Sequence, residues 1–300
     1  MPNKTMKKKK KIFLQTQKHP FHILDSSPLP FMVSLCVLIL ALGFVEYMHF
    51  SASLNFIVGL VLLICVSFMW FFDVIKEGTF GGYHTSPVVE NLRLGFMLFV
   101  LTEVAFFASF FWSFFHFSLA PSIFIGMQWP PVGITLINPM ELPLVNTIIL
   151  LYSSYLVTLS HESMINHSWR SSQKTLLLAI LCGILFFCVQ GYEYVESPFS
   201  INDSVYGSIF YILTGCHGLH VLIGTIFLTV CFVRNELKHF TCDHHVGFEA
   251  AAIYWHFVDV VWIFVYIFVY CWSAGDTFAL AIYNFFSVDF SDFFTIKYLH

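Results

Sequence analysis

Seven apolar runs, each about as long as a bilayer core requires, separate stretches of this chain that alternate between carrying Lys or Arg and carrying almost none. The runs cover 29–48, 53–72, 92–119, 142–159, 175–195, 205–233 and 248–272, and a spanning helix needs about 20 predominantly apolar residues. Threaded back and forth, they leave Lys4, Lys7 to Lys11, Lys18, Lys76, Arg93, Arg170, Lys174, Arg234 and Lys238 on one side. Of the 14 cationic residues only Lys297 falls on the other. Cationic loops stay on the side from which a protein is inserted, so the pattern predicts seven crossings with the amino terminus inside and the carboxyl terminus outside. One span more or fewer in the middle would scramble this distribution, so charge tests the span count independently of hydropathy.

Composition agrees. A chain of 300 residues that is 58% hydrophobic and 11% charged, with 37 Phe, has more apolar surface than a soluble core hides. Continuous rather than alternating apolar stretches favour helices over a barrel, because a lipid-exposed helix satisfies its backbone hydrogen bonds within itself. The eight cysteines lie mostly in spans without C-x-x-C spacing and read as small apolar fillers, not as a disulfide framework or a zinc site. The Lys-rich start lacks Arg and the Ser-rich character of a transit peptide, and reads as a topological anchor. This fits insertion from the compartment of synthesis, a bacterial cytoplasm or an organelle matrix.

The chain divides into a Lys-rich segment 1–28, a two-helix part 29–75, a hinge loop 76–87 with Gly78, Gly81 and Gly82, a five-helix bundle 88–273 and a C-terminal extension 274–300. Pro28, Pro87 and Pro143 suit first-turn positions, and Asn202-Asp203-Ser204 suits a helix cap. The third and sixth runs, about 28 residues or 42 Å as helices, overshoot the hydrocarbon core and should tilt or project beyond it.

Glu103 is the sharpest anomaly, an acid near the middle of the third run among Leu, Val, Ala and Phe. A charge at the centre of a span costs roughly 2.5 to 3.5 kcal/mol on insertion scales, so the group must be protonated, paired or turned toward protein. It reads either as a proton-linked or gating carboxyl or as a neutral tie between helices. On the seventh run, His245, Glu249, His256 and Asp259 fall within a sector of about 80° at 100° per residue. That stripe suits a packing seam first, then a proton path or a head-group site. Gly207, Gly215, Gly218 and Gly224 permit close approach along the sixth run, so His217 and His220 beside them read as interhelical hydrogen-bonders rather than ligands. The spacing of the fourteen histidines does not single out a haem or copper site, and no metal ligand is assigned.

Several long stretches resemble subunit III of the haem–copper cytochrome c oxidases. They are T-E-V-A-F-F-A-S-F-F-W at 102–112 with Ser118-Leu119-Ala120-Pro121, W-P-P-V-G-I at 129–134, N-P-M-E-L-P-L-V-N-T at 138–147, G-C-H-G-L-H-V at 215–221, and H-H-V-G-F-E-A-A-A at 244–252 with Y-W-H-F-V-D-V-V-W at 254–262. The resemblance runs from about His19 to Ser273. It implies an all-α membrane protein with seven transmembrane helices, two plus five, around a lipid-filled cleft. It also implies a mitochondrial inner-membrane subunit without haem or copper of its own, those metals sitting in partner subunits I and II. Such a subunit braces subunit I, holds phospholipids, including anionic lipid, and supports proton uptake, while cytochrome c is the substrate of the whole complex. No nucleic acid is involved. Glu103 matches the family's buried, carbodiimide-reactive glutamate, and the family's lipid head groups lie near positions matching Glu77, His84, Trp112, Arg234, His244 and His245.

Two departures stand out. Trp70-Phe71-Phe72-Asp73 replaces the family's usual Trp-Trp-Arg-Asp, which alters one lipid contact, and the tail 274–300 has no family counterpart. The apolar part of that tail, 277–286, is too short to span and suits a surface path against another subunit. The related bacterial quinol oxidase subunit typically lacks the first two spans, and an independent transporter using Glu103 would normally show repeats or broken helices.

Overall fold

The computed structural model describes residues 19–275, so the Lys-rich start and the tail from 276 onward, including the surface path predicted for 277–286, lie outside the described residues. Among the described residues, seven helices are long and apolar enough to cross a membrane. They are α1 Leu29–Phe50, α2 Leu54–Lys76, α3 Ser86–Leu119, α4 Leu142–Ile165, α5 Trp169–Glu196, α6 Ser204–Glu236 and α7 Val246–Val265. Two of them change pitch at their ends: α2 runs into a π-helical turn, Glu77–Gly81, and α7 into another, Tyr266–Trp272.

Most of the helices outrun the apolar runs, α5 furthest, since it begins at Trp169 rather than 175. The added turns carry cations: Lys76 closes α2, Arg170 and Lys174 open α5, and Arg234 closes α6. Backbone hydrogen bonding continues past the edge of the apolar stretch, while long cationic side chains reach from helix ends toward water. The glycine-bearing stretch 76–87 is therefore largely helical, and its non-helical part shrinks to 82–85, where Gly82 takes a left-handed φ of 66°. Asp203 sits at the α6 cap but turns its Oδ2 back to accept from the Ser200 N–H (2.7 Å) and hydroxyl (3.0 Å). Ser204 Oγ accepts from the Tyr206 N–H instead.

The described residues form two compact units, 19–95 and 96–275, and the division falls within α3. In the first unit α1 and α2 form a hairpin across Ser51, Ala52 and Ser53. Its backbones meet at two glycines: a methyl group on Gly43 would lie 2.3 Å from the Phe56 nitrogen, and one on Gly59 would lie 2.6 Å from the Leu40 nitrogen. Lipid offers no hydrophobic drive between helices, so small residues that permit close van der Waals contact hold such a pair together.

In the second unit α4, α5, α6 and α7 close into a ring, each packed on the next and α7 returning to α4. Two indoles of α7 fill its centre. Trp255 donates to Ser153 of α4 (2.9 Å) and lies against Gly183 of α5 and Gly224 of α6. Trp262 donates to Thr147 of α4 (2.9 Å) and packs on Phe186 of α5 and His217 of α6. Of the four α6 glycines, Gly207 and Gly224 make the close approaches, whereas Gly215 and Gly218 have no heavy atom within 4 Å of an added methyl. Helix α3 attaches to this ring through aromatic rings: Phe96 meets Phe227 of α6, and Phe99, Phe107 and Phe111 meet Tyr254, Phe257 and Phe264 of α7.

Gly59→Ala should destabilise the α1–α2 hairpin by about 1 to 3 kcal/mol, because backbone atoms cannot swing aside as a side chain would. Gly191→Ala, with open space around its added methyl, should be near neutral. Thermal unfolding in detergent, followed by protease cleavage at the 51–53 turn, compares the two.

Candidate functional site

Glu103 lies on the face of α3 that turns to α6 and α7, and its Oε2 is 2.8 Å from His220 Nε2. The other ring nitrogen of His220 is 2.7 Å from the Cys216 carbonyl, one turn earlier on α6. A carbonyl only accepts, so Nδ1 carries a proton and donates. In the neutral imidazole, Nε2 is then a bare acceptor, and the hydrogen bond to Glu103 requires a protonated carboxyl; otherwise the pair is an imidazolium and a carboxylate. In either arrangement one proton lies between Oε2 and Nε2. The pair is mostly enclosed, with 13% of the His220 side chain and 21% of the Glu103 side chain exposed. Phe106 and Phe107 lie beside the imidazole, Tyr254 stacks on it at 17°, and Phe257 closes the far side. An apolar wall of this kind strengthens the electrostatics of the pair, since less solvent screens it.

The four polar residues of α7 all face α4. His256 Nε2 is 3.3 Å from Thr158 Oγ1, Asp259 lies beside Ser154, and His245 Nε2 is 3.0 Å from His161 Nε2. Glu249 pairs with His245 at 3.5 Å. With the two indole bonds, they make a run of polar rungs between antiparallel helices. His217 is fully buried and bonds the Val258 carbonyl of α7 at 3.1 Å.

The residues matched to lipid positions separate into two groups. In the first unit, Glu77 opens the π turn 4.0 Å from His22 Nε2, and the ring of His84 lies 5.5 Å from that of His22. In the second unit, Trp112 is 77% exposed on α3, and Arg234 sits over the Phe240 ring at 4.4 Å, its Nη1 against Gly247 at the start of α7. His244 is exposed. His245 differs: it is buried, with Nδ1 3.0 Å from the Thr241 carbonyl and Nε2 facing His161, so both ring nitrogens are engaged by protein rather than turned toward a head group. Beside Asp73, Lys76 Nζ lies 3.4 Å from the carboxylate and 4.6 Å from the Phe72 ring centre, which supplies a cation near the departure at 70–73.

A second buried acid escaped the sequence analysis. Glu193, 2% exposed, accepts from Tyr270 (2.6 Å) and from Gln190 (3.1 Å), whose oxygen accepts in turn from Asn146 (3.1 Å). The signal was present: Gln190 and Glu193 lie three residues apart on one face of the fifth apolar run. The wider π turn of 266–272 brings Tyr270 to this carboxyl. His161 also went unnoticed, because in the polar stretch Ser160-His161-Glu162-Ser163 nothing marks it out until His245 is placed beside it.

Comparison with known proteins gives a consistent result. The sequence model of one family, described as cytochrome c oxidase subunit III, matches residues 19–274. The chain is 50% identical over 256 residues to a protein of Anopheles gambiae named cytochrome c oxidase subunit 3, covering 85% of this chain and 98% of that one. Proteins of the same name from Danio rerio and Pisaster ochraceus are 47% and 48% identical over 258 and 259 residues. Those alignments cover 86% of this chain in both cases, and 99% and 100% of the relatives.

Ser153→Ala should cost about 1 to 3 kcal/mol, since it leaves the Trp255 N–H buried without an acceptor. Adding it to Trp255→Phe should cost much less, because the donor is then already gone. A double-mutant cycle on thermal midpoints in detergent checks this. Outside the spans, partial burial first and the neighbouring Arg234 cation second hold the His239 imidazole below its ordinary range, so the neutral form is favoured. Arg234→Gln should therefore let His239 protonate at higher pH, read from the pH dependence of its reaction with diethylpyrocarbonate.

Proposed function

Because the chain belongs to the cytochrome c oxidase subunit III family, we propose that it is a core subunit of the respiratory oxidase. In this reading it braces the haem- and copper-bearing subunits I and II, holds phospholipids and supports proton uptake while the complex passes electrons from cytochrome c to oxygen. The chain contributes no haem or copper. It resides in the mitochondrial inner membrane with its amino terminus in the matrix and its carboxyl terminus in the intermembrane space, as the cation distribution favours.

The observation that carries the proton-linked part is the bond between Glu103 and His220 in the interior of the long helix α3. A group that helps to move protons must take and release one without a large rearrangement. Here the proton shifts along one 2.8 Å contact, while the Cys216 carbonyl keeps the imidazole in a fixed tautomer and orientation. The aromatic wall keeps bulk water from short-circuiting the exchange. The chain performs no redox step; its residues hold and position a proton for a partner.

Phospholipid holding rests on a different chemistry. Arg234, fixed by Phe240, and the exposed His244 flank the start of α7, where an anionic head group would meet a cation and a donor. Glu77, His84 and Lys76 form a comparable set at the end of α2. Trp112 presents an exposed indole suited to an acyl chain.

Glu103→Gln should leave assembly intact, because the amide keeps the shape of the side chain and its N–H can donate to His220 Nε2. The purified complex should retain its haem and copper absorption and its initial turnover, and take up protons more slowly. Loss of the whole complex would instead mark the carboxyl as structural. Glu103→Leu, which strands the imidazole nitrogen, should cost about 1 to 3 kcal/mol of stability in the same complex.

A further inference from the structure

We propose that His161, His245 and Glu249 form an exchangeable divalent-cation site, of the kind that takes Zn2+, where the end of α4 meets the start of α7. The three are drawn from the polar seam but differ from its other rungs. Elsewhere on the seam the partner on α4 is a hydroxyl, as when Trp255 and Trp262 donate to Ser153 and Thr147. Here two imidazole nitrogens face each other at 3.0 Å, with the Glu249 Oε1 3.5 Å from His245 Nε2. One ligand atom from each of the three lies within 4.8 Å of the others. A tetrahedral zinc with bonds of about 2.0 to 2.1 Å sets its ligand atoms about 3.3 Å apart, so modest side-chain adjustment brings all three onto one ion.

The protonation pattern suits a cation. The Thr241 carbonyl, 3.0 Å from His245 Nδ1, can only accept, so that nitrogen donates and the neutral ring presents a lone pair at Nε2. An imidazole that donates one N–H to a backbone carbonyl while its other nitrogen is bare is the usual arrangement of a zinc ligand. In the ion's absence His161 Nε2–H fills that lone pair. On binding, the His161 proton moves to Nδ1 and both Nε2 atoms face the ion, with no net loss of a proton from the neutral rings. The ring planes are already set: His161 stacks on Phe248 at 25° and stands at 65° to His245. Two nitrogens and one carboxylate oxygen favour zinc over calcium or magnesium, which take oxygen ligands, and three protein ligands leave a fourth position for water. The site is not sealed, since 19% of the Glu249 side chain is exposed and His161 is only half-buried. Neither the Glu103–His220 pair nor the Arg234 cluster takes part, so this inference stands or falls apart from the function proposed above.

The test uses the intact oxidase complex washed with chelator and titrated with Zn2+ alone. The wild type should bind one more Zn2+ per complex than His161→Gln or Glu249→Gln, and those variants should bind at this site at least about tenfold more weakly, as loss of a ligand predicts. The zinc-edge spectrum of the added ion should show two imidazole nitrogens and a carboxylate oxygen. Equal stoichiometry and affinity in wild type and both variants would overturn the proposal. Should either variant fail to assemble, the wild type alone decides: Zn2+ should protect the half-buried His161 from diethylpyrocarbonate while leaving the exposed His244 reactive. Equal modification with and without Zn2+ would overturn the site.

Discussion

Two indoles organise the larger unit. In a hydrocarbon environment every polar group on a spanning helix must find its partner inside the protein, and Trp255 and Trp262 meet that demand while filling the centre of the α4–α7 ring. Each touches the other three helices of the ring: a hydroxyl on α4, a glycine or phenylalanine on α5, and a glycine or histidine on α6. Burial and hydrogen bonding act at the same place, so neither the approach of α5 and α6 nor the register of α4 against α7 can shift without exposing an N–H. The remaining rungs at Thr158, Ser154 and His161 follow once that register is fixed.

Helix α3 is joined to the ring differently. Phenylalanines hold it against α6 and α7, and the Glu103–His220 pair sits among those rings. An aromatic spacer is firm enough to orient the pair and apolar enough to keep water from competing with it. The same separation that makes α3 the helix with the least burial in its apolar window leaves room for a proton-sharing group that tight packing would have excluded. The fold thus divides its labour: indoles and small residues supply rigidity in the ring, and the α3 interface supplies a polar pair with one proton to place.

The sequence disclosed the spans because hydropathy and charge are properties of each segment alone. All seven apolar runs became helices, and the stretches at 102–121, 129–134, 138–147, 215–221 and 244–262 together pointed to the family. The helix ends extended further than the apolar runs because backbone hydrogen bonding ignores the edge of the hydrocarbon, as Lys76 and Arg170 illustrate. Asp203 has the chemistry of a cap, but its carboxylate found the nearer Ser200 donors. The stripe on α7 was visible as a face, yet periodicity names no partner. Glu193 and His161 acquire their roles the same way, when Tyr270 and His245, distant in sequence, are brought beside them.

What the amino acids determined by themselves was therefore the solvent: seven helices of lipid-compatible length, their direction of crossing, and the positions where polarity had to be explained. Tertiary structure decided which polar groups meet. It paired Glu103 with His220 rather than leaving it a lone acid, set His245 against His161 rather than toward a head group, and gathered a carboxylate to them. Such pairings join residues 84 to 117 positions apart in the chain, and their geometry depends on helix rotation and register, which no local pattern of apolar and charged residues encodes.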